Sequence, residues 1–408
     1  MNPLREKIAK EIRQRGPIPF SRYMELCLYD LELGYYSRNA SQFGKAGDFF
    51  TSSDVHAVFG RLLARQFDEM WRALGSPDRI ELVELGPGRG LFAQDVLDWS
   101  ESKFPNFFHA LRYVLIERSP ALRQRLESTL AARLGSGKAI VTAPDFRPDC
   151  GASLAGGKGT GKGTTSVVPK NGLREWALAP EGSVIVFASE FFDALPVEIV
   201  SVKGTLRIDV QADRFVEIWA PPSSRELEFL DRYSVHAQAG ERLEVPLAAQ
   251  EHMECIATNV RRGFVIAVDY GYAREEQLAG RHRGTLKTIR QHSVSANPYE
   301  APGEQDITAD VNFTALAAAA QKHGLSVQKI LTQSQFLMGI GEANQFADAF
   351  AECRLPQERA KVALQLKYLV TPAGMGESFH VLVASKGVEP EKVAALAGLS
   401  FGKKPARV

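Results

Sequence analysis

An apolar run with an acidic residue near its end is followed directly by three closely spaced glycines. The run covers residues 80–85 and contains Glu84, and the glycines are Gly86, Gly88 and Gly90. We expect the run to form a buried parallel strand and the glycines a tight turn into a helix. Glycine has no Cβ, so such a turn lets the backbone approach a ligand closely. Because open α/β sheets bind ligands at the carboxyl ends of their strands, Glu84 would face a ligand crevice.

The glycine spacing separates two classes of nucleotide-like ligand. A dinucleotide fold needs G-x-G-x-x-G, and the position of its third glycine is occupied by Leu91. The pattern E-x-G-x-G-x-G is instead common among class I S-adenosylmethionine (SAM) methyltransferases. SAM has no pyrophosphate, and its cationic amino and sulfonium groups suit an acid such as Glu84. A glycine-rich turn alone is weak evidence, since any strand-to-helix turn can contain glycines.

A second apolar run ends in another acid. Residues 111–116 predict a strand, and Glu117 follows it. An acid at this position of a Rossmann-like unit can accept hydrogen bonds from ribose hydroxyls. The distance from the glycines is longer than the ~20 residues of the simple fingerprint, and a long helix and loop over residues 92–110 would explain it. The alternative is a solvated acid at a strand end.

A third apolar run, residues 183–189, opens into a turn with two acids and two aromatic residues. Methyl transfer is an in-line displacement, so the protein supplies mainly alignment and electrostatics. Glu190 and Asp193 could hold a guanidinium by paired hydrogen bonds, and Phe191 or Phe192 could line an acceptor pocket. In the alternative interpretation the acids cap the next helix and the phenylalanines belong to the core.

The composition is that of a soluble globular enzyme. With 408 residues, 45% of them hydrophobic, we expect two lobes or one decorated domain. A net charge of +1 argues against nucleic acid and anionic membranes as partners. Four scattered cysteines predict neither a disulfide framework nor a zinc site, and they suit a cytoplasmic setting. No apolar run reaches the ~18 residues of a membrane span, and Glu6 and Glu11 indicate an amphipathic helix rather than a signal or transit peptide.

Strand-like and helical stretches alternate from residue 80 to 145, which predicts a doubly wound α/β fold. We expect a class I methyltransferase sheet of seven mostly parallel strands whose last strand is antiparallel. The predicted division is a helical cap (1–75), a SAM-binding Rossmann-like core (76–196), an inserted antiparallel β and helical subdomain (197–261), the second half of the core (262–390) and a tail (391–408).

Within the core, residues 151–172 are rich in glycine, lysine, serine and threonine. They contain a stretch that superficially suggests a phosphate-binding P-loop. The residue after Lys162 is Gly163 rather than serine or threonine, and no strand precedes the stretch. We therefore interpret residues 151–172 as a flexible surface loop.

The chain resembles the MidA-type SAM-dependent methyltransferases, a family that includes the mitochondrial protein arginine methyltransferase needed for respiratory complex I assembly. The matching segments are Gly16 to Phe20, Gly34 to Tyr36, Gly47 to Ser52, Glu84 to Gly90, Glu117 to Pro120, Glu190 to Pro196, Asp269 to Tyr272, Pro302 to Thr308 and Gln335 to Leu337. The family usually has asparagine at the position of Ser189, which leaves a shorter side chain at the catalytic edge.

The resemblance implies SAM as the methyl donor and a protein arginine as the acceptor, with a subunit of complex I as a candidate substrate. It places Asp48 near the cofactor, with the N-terminal helices closing over it, and Asp269 at a strand end on the acceptor side. Thr308, before a predicted helix over residues 308–323, would be an N-cap. The predicted catalytic residues are Glu190, Asp193 and Asp269, and the predicted cofactor-binding residues are Glu84, Gly86, Gly88, Gly90, Glu117 and Asp48.

Two other functions remain open at this point. One is methylation of a small molecule or a nucleic-acid base, although base methylation usually uses a strand end with two prolines, which the turn after Ser189 lacks. The other is an assembly chaperone that binds SAM only as a structural ligand. The sequence predicts neither the degree of methylation nor the oligomeric state.

Overall fold

The computed structural model of the protein describes residues 2–38, 57–144, 182–212, 214–290, 293–295, 297–342 and 344–402. The predicted cofactor residue Asp48 and the loop 151–172 lie outside these residues. None of the described helices is long and apolar enough to cross a membrane.

The strands and helices are numbered in chain order. The strands are β1 (Ile18–Pro19), β2 (Ile80–Leu85), β3 (Leu111–Ile116), β4 (Ala139–Thr142), β5 (Ser183–Ser189), β6 (Glu198–Ser201), β7 (Gly204–Gln211), β8 (Arg214–Ala220), β9 (Leu243–Val245), β10 (Arg262–Tyr272), β11 (Lys287–Arg290), β12 (Ser293–Ser295), β13 (Asp306–Thr308), β14 (Val311–Asn312), β15 (Ser326–Val327), β16 (Leu331–Thr332) and β17 (Phe379–Lys386).

The helices surround these strands. They are α1 (Pro3–Arg15), α2 (Phe20–Tyr29), α3 (Tyr35–Arg38), α4 (Ala57–Ala73), α5 (Leu91–Lys103), α6 (Pro105–Ala110), α7 (Pro120–Thr129), α8 (Ala131–Gly135), α9 (Ser224–Tyr233), α10 (Leu247–Asn259), α11 (Arg274–Leu278), α12 (Phe313–Lys322), α13 (Gln333–Glu342), α14 (Ala347–Phe350), α15 (Pro356–Val370) and α16 (Pro390–Ala394), followed by a short 3₁₀ turn (Ala397–Leu399).

The main sheet has the strand order β15-β17-β10-β5-β2-β3-β4. Strands β4, β3, β2, β5 and β10 run parallel, whereas β17 is antiparallel to β10. The predicted α/β class is therefore confirmed. The sheet has nine strands rather than the predicted seven, because the two-residue strands β14 and β16 also pair with it. Strands of two residues are too short to leave an apolar run in the sequence.

Helices cover both faces of the main sheet. In β2, Leu82 packs into an apolar cluster with Phe67 of α4, whereas its neighbour Val83 packs on the other face with Met253 of α10. Every residue of β2 is buried. This double burial explains why four of the six residues of β2 are apolar and do not alternate strictly with polar ones.

A separate antiparallel sheet has the order β1-β7-β6-β9, with β8 pairing to β7. Its strands β6, β7 and β8 correspond to those predicted within residues 197–261. The N-terminal α1 is amphipathic as predicted, and its buried Leu4 and Ile8 share an apolar cluster with Ile199 and Ile208 of this sheet. The N-terminal helices are thus anchored on the inserted sheet as well as lying beside the cavity described below.

A third, three-stranded sheet has the order β12-β11-β13. The prediction of Thr308 as an N-cap is wrong, because Thr308 belongs to β13 and pairs with Lys287 of β11. Helix α12 begins at Phe313 and not near residue 308. Its N-cap is Asn312, whose side chain accepts a hydrogen bond from Ala315 N at 2.9 Å. The pairing of β13 with β11 thus determines its conformation, and the short strand β13 leaves no apolar run in the sequence.

Candidate active site

A cavity of about 1800 Å³ lies at the carboxyl ends of the parallel strands. Pockets for one small ligand usually have roughly 300–1,000 Å³, so the cavity has room for a cofactor and for part of a second molecule. Six predicted site residues line it: Glu84, Gly86, Gly88, Glu117, Glu190 and Asp193.

Glu84 lies near the end of β2, with its carboxylate in the cavity wall. The hydroxyl of Tyr113, on the adjacent strand β3, donates a hydrogen bond to Glu84 Oε2 at 2.8 Å. Burial raises the pKa of the Glu84 carboxyl to about 8, and the Tyr113 hydrogen bond partly opposes this rise. Without a cationic partner, Glu84 is therefore largely protonated near neutral pH, and a bound cation would favour the carboxylate.

The three glycines connect β2 to α5. Their φ angles are +63° at Gly86, +54° at Gly88 and +77° at Gly90, a left-handed conformation that side chains rarely adopt. Gly86 and Gly88 line the cavity, whereas Gly90 is the N-cap of α5, where a Cβ would lie 2.7 Å from Leu126. Gly90 thus allows close packing of the helices, and the other two bring backbone to the cavity.

Glu117 follows β3 and is buried rather than solvated. The N–H of Ser119 donates to Glu117 Oε1 at 2.7 Å, and Ser119 is also the N-cap of α7, whose first residue is Pro120. Burial raises the pKa of Glu117 to about 7, and the backbone N–H groups of Ser119, Arg118 and Gly88 oppose this rise. The interaction with Gly88 brings Glu117 beside the glycine turn, as the sequence predicted for a cofactor site.

The turn after β5 carries the predicted acceptor residues. Glu190 lines the cavity, and its φ of +51° is left-handed, which is unusual for a residue with a side chain. The turn leads to β6 and not to a helix, so the acids are not helix caps. Phe192 is buried in the core, whereas Phe191 lines the cavity, where a Cβ on Gly86 would lie 3.1 Å from its ring.

Asp269 lies beneath this turn. The strand β10 continues through Tyr272, so Asp269 is inside the strand and not at its end. Asp269 Oδ2 accepts hydrogen bonds from three backbone N–H groups of the turn: Phe191 N at 3.0 Å, Phe192 N at 2.9 Å and Asp193 N at 3.4 Å. It is buried and does not line the cavity, so the predicted place on the acceptor side is corrected. Its carboxylate orients the backbone of the turn.

Asp193 is held from the other side by the three-stranded sheet. The hydroxyl of Thr308 donates to Asp193 Oδ2 at 2.9 Å, and Ala309 N donates to the Asp193 carbonyl at 3.1 Å. Burial raises the pKa of Asp193 to about 6, against the opposing effects of Thr308 and Lys287. Among the described residues, none forms a hydrogen bond with Asp193 Oδ1, although this atom is buried.

The sequence did not identify several further residues of the cavity. The hydroxyl of Tyr36 donates to Asp306 Oδ1 at 2.9 Å, and the hydroxyl of Tyr29 donates to the Ala194 carbonyl at 2.9 Å. Lys287 also lines the cavity, and its ammonium lies 3.3 Å from Asp310 Oδ1. The tyrosines belong to the N-terminal helices, and both lie beside the turn that contains Asp193. Only the matching family segments around Tyr36 and Asp306 pointed to these positions, without giving them a role.

The wall near the glycines fits SAM. A Cβ on Gly88 would meet no atom within 4 Å, so this part of the turn has open space in front of exposed backbone. The buried Glu84 and Glu117 lie on either side of the turn, where one can meet a cationic amino group and the other a ribose. The chemistry of these donors and acceptors matches a charged nucleoside without phosphate.

Residues 62–331 match a family described as putative S-adenosyl-L-methionine-dependent methyltransferases. The protein therefore belongs to this family of SAM-dependent methyltransferases, which confirms the resemblance seen in the sequence and SAM as the cofactor.

Several proteins are similar to this one along most of the chain. A Drosophila melanogaster protein named protein arginine methyltransferase NDUFAF7 homolog, mitochondrial, is 28% identical over 401 residues, covering 93% of this chain and 85% of its own. The human protein arginine methyltransferase NDUFAF7, mitochondrial, is 27% identical, with coverages of 93% and 82%. A crystal structure from Burkholderia thailandensis bound to S-adenosyl-homocysteine has a TM-score of 0.77 and 27% identity, covering 98% of this chain and 95% of that one.

Proposed function

We propose that this methyltransferase methylates an arginine side chain of a protein. The observation that carries the proposal is the group of carboxylates at the end of the cavity formed by the turn after β5, where Glu190, Asp193 and Asp306 line the wall. Carboxylates pair with a guanidinium through two parallel hydrogen bonds. The names of the relatives that match 93% of the chain support the same acceptor.

The cofactor side of the proposal assigns roles to residues around the glycine turn. Glu84 binds the amino group of SAM, Glu117 accepts hydrogen bonds from the ribose, and the backbone at Gly86 and Gly88 lies against the ligand. Gly90 acts indirectly, by allowing α5 to begin close to α7. Asp48, outside the described residues, stays a prediction from the resemblance.

The acceptor side orients one nitrogen for attack. When bound, SAM supplies an electrophilic methyl group, so the transfer forms an N–C bond as the C–S bond breaks. A guanidinium is protonated at neutral pH, and a carboxylate beside it concentrates the positive charge on the nitrogens that it binds. Glu190 has this role in our proposal. Asp193 is the second carboxylate, and because burial raises its pKa above the usual value, it can accept the proton that the methylated nitrogen releases.

Asp269 has a positioning role in this proposal, because it contacts the backbone of the turn and not the cavity. Asp269 Oδ1 also accepts a hydrogen bond from Tyr270 N at 2.9 Å, so in an Asp269→Asn variant either the N–H groups of the turn or Tyr270 N must face an NH₂ group that cannot accept. We expect slower methyl transfer with SAM affinity unchanged, together with a lower melting temperature. A melting temperature equal to that of the wild type would contradict the positioning role.

The decisive experiment measures SAM binding by calorimetry and then the transfer of labelled methyl from SAM into a host-cell extract, with mass spectrometry of the product. We expect label on arginine in a protein, and none with Glu190→Ala. Label found only in small molecules or RNA would overturn the protein acceptor. SAM binding without any methylated product, together with full activity of Glu190→Ala in cells, would indicate a chaperone instead.

We also propose a cytoplasmic location. The supporting observation is that Cys27, Cys255 and Cys353 form no disulfide with one another. The relatives are named as mitochondrial proteins, so fractionation of the source cells, with the protein detected by antibody, is the appropriate test. Recovery in a membrane-enclosed organelle would contradict the proposal.

A further inference from the structure

One face of the three-stranded sheet turns toward the cavity. In its register Ile289 of β11 lies directly opposite Val294 of β12 on one side and Asp306 of β13 on the other. Directly opposed residues share a face of a sheet, and all three line the cavity. The alternate residue Ile307 points the other way and is buried in the apolar cluster of the N-terminal helices.

This face changes in character from one strand to the next. At β13 it is acidic, because Asp306 lies there and Asp193 is bonded to Thr308 of the same strand. At β11 and β12 it is apolar, and the Val294 side chain is 69% exposed. Leu31, between α2 and α3, also lines the cavity and is 69% exposed. Ile289 and Val294 are paired neighbours, and contiguous apolar surface bordered by polar residues marks protein-binding sites.

We infer that this face binds an extended segment of the acceptor protein, with an apolar side chain of that segment on Ile289 and Val294. This inference rests on the proposed function, since the arginine of the segment would enter the acidic end at Asp306. Charge complementarity orients the segment. Lys287 lies on the same face, with its ammonium 3.3 Å from Asp310 Oδ1, and it offsets the negative charge of Asp193 only in part, since the pKa of Asp193 stays raised.

The spacing of the strands predicts where the apolar residue of the acceptor lies. Neighbouring strands are ~4.8 Å apart, so Ile289 and Val294 lie roughly 5 and 10 Å from Asp306. An extended peptide advances by ~3.3 Å per residue. The apolar residue is therefore expected one to three positions from the methylated arginine.

The test compares a charged substitution on this face, and one at Leu31 in the neighbouring cavity wall, with one elsewhere. Val294→Asp and Leu31→Asp are assayed for transfer of labelled methyl from SAM into proteins of the host-cell extract. We expect the rate at low extract concentration to fall about tenfold, as for loss of one apolar anchor at an interface, and to recover partly at high concentration. SAM affinity should stay within twofold. The control is Leu278→Asp on α11, which is 61% exposed and does not line the cavity.

Two outcomes would overturn this inference while leaving the proposed function intact. The first is a rate for Val294→Asp within twofold of the rate for Leu278→Asp, while protein arginine is still labelled by the wild type. The second is a labelled arginine with no apolar residue within three positions on either side. A wild type that labels only small molecules would overturn the proposed function, and this inference with it. A rate for Val294→Ile equal to that of the wild type would show that Val294→Asp loses activity because it loses the apolar contact and not because it misfolds.

Discussion

The two sides of the cavity are assembled from the chain in different ways. On the proposed cofactor side, which is the cavity wall around the glycine turn, Glu84 and its partner Tyr113 are 29 residues apart and lie on neighbouring strands. On the acceptor side, Tyr36 and its partner Asp306 are 270 residues apart. One side is thus a local structure of consecutive strands, turns and helices, whereas the other exists only when the N-terminal helices, the turn after β5 and the small sheet have come together.

This difference has a functional consequence. A local cofactor site can keep its geometry while the segments that form the acceptor side change, so the same donor can serve different acceptors. The two sides also meet where Phe191 of the turn after β5 lies against Gly86 of the glycine turn. We therefore expect most substitutions to affect either SAM binding or turnover, and those at this contact to affect both.

The largest expected effect is that of Glu190→Gln on turnover. The amide keeps the size of the side chain but loses the charge that holds a guanidinium, so kcat should fall by about 10²–10³-fold. SAM affinity, measured by calorimetry, should remain within twofold. Glu251→Gln on α10, which also lines the cavity, is the control and should keep its activity. A Glu190→Gln variant that loses SAM affinity as strongly as turnover would contradict the division into two sides.

Glu84→Gln should act on the opposite side. The neutral amide cannot form a charge-assisted hydrogen bond, whose loss amounts to roughly 1.5–3 kcal/mol. We expect SAM affinity to fall about 10–100-fold by calorimetry, and turnover at saturating SAM to change little. An unaltered affinity would remove Glu84 from the cofactor site.

The same difference explains what could be predicted from the sequence. Strands β2, β3 and β5 begin and end at the predicted residues, because each is a largely apolar run followed by polar or turn residues. The positions of Glu84, Glu117 and the glycines at strand ends and in the turn could be predicted because strand, turn and helix follow one another directly; their roles in binding SAM stay predictions.

The acceptor side was predicted less completely, since its contacts are long-range. Thr308 was placed at a helix start, whereas its pairing with β11 makes it part of a strand. Asp269 is predicted at a strand end, whereas it lies inside β10, where its side chain accepts hydrogen bonds from the turn after β5. No local pattern indicates that Tyr36 meets Asp306. The predicted boundaries of the domains stay predictions.

The pH dependence of SAM binding should follow Glu84. Its pKa of about 8 in the folded protein means that binding a cation requires loss of a proton below that pH. SAM affinity should therefore fall by up to about tenfold per pH unit below pH 8. Glu84→Gln should show a much flatter profile, and an equally steep profile in this variant would contradict the assignment.

The same shift affects stability in the absence of SAM. Because the folded pKa lies above the usual value of 4.5, the contribution of Glu84 to stability is complete below about pH 4.5 and is lost as the pH rises through 8. Glu117, with a pKa of about 7, acts in the same direction. The free energy of unfolding of Glu84→Gln, measured with denaturant, should decline less between pH 6 and 9 than that of the wild type.

Two glycine substitutions separate the cofactor turn from its contact with the acceptor turn. In Gly88→Ala the new Cβ meets open space, so the cost is the left-handed conformation alone, about 1–2 kcal/mol. In Gly86→Ala the Cβ would also lie 3.1 Å from Phe191, so that ring must shift. We expect both variants to bind SAM less tightly, and only Gly86→Ala to lower turnover at saturating SAM. Equal turnover in the two variants would exclude coupling through Phe191.

The smallest expected effect is that of removing the Tyr113 hydrogen bond, which lowers the pKa of Glu84. Tyr113→Phe keeps the buried ring and removes the hydroxyl that donates to Glu84, so about 0.5–1.5 kcal/mol of SAM binding should be lost, or roughly 2–10-fold in affinity. Because that hydrogen bond lowers the pKa of Glu84, its removal should also move the midpoint of the pH dependence upward. A weaker affinity with an unmoved midpoint would mean that Tyr113 acts through packing alone. Turnover at saturating SAM should not change, since Tyr113 contacts the local, cofactor-binding half of the cavity.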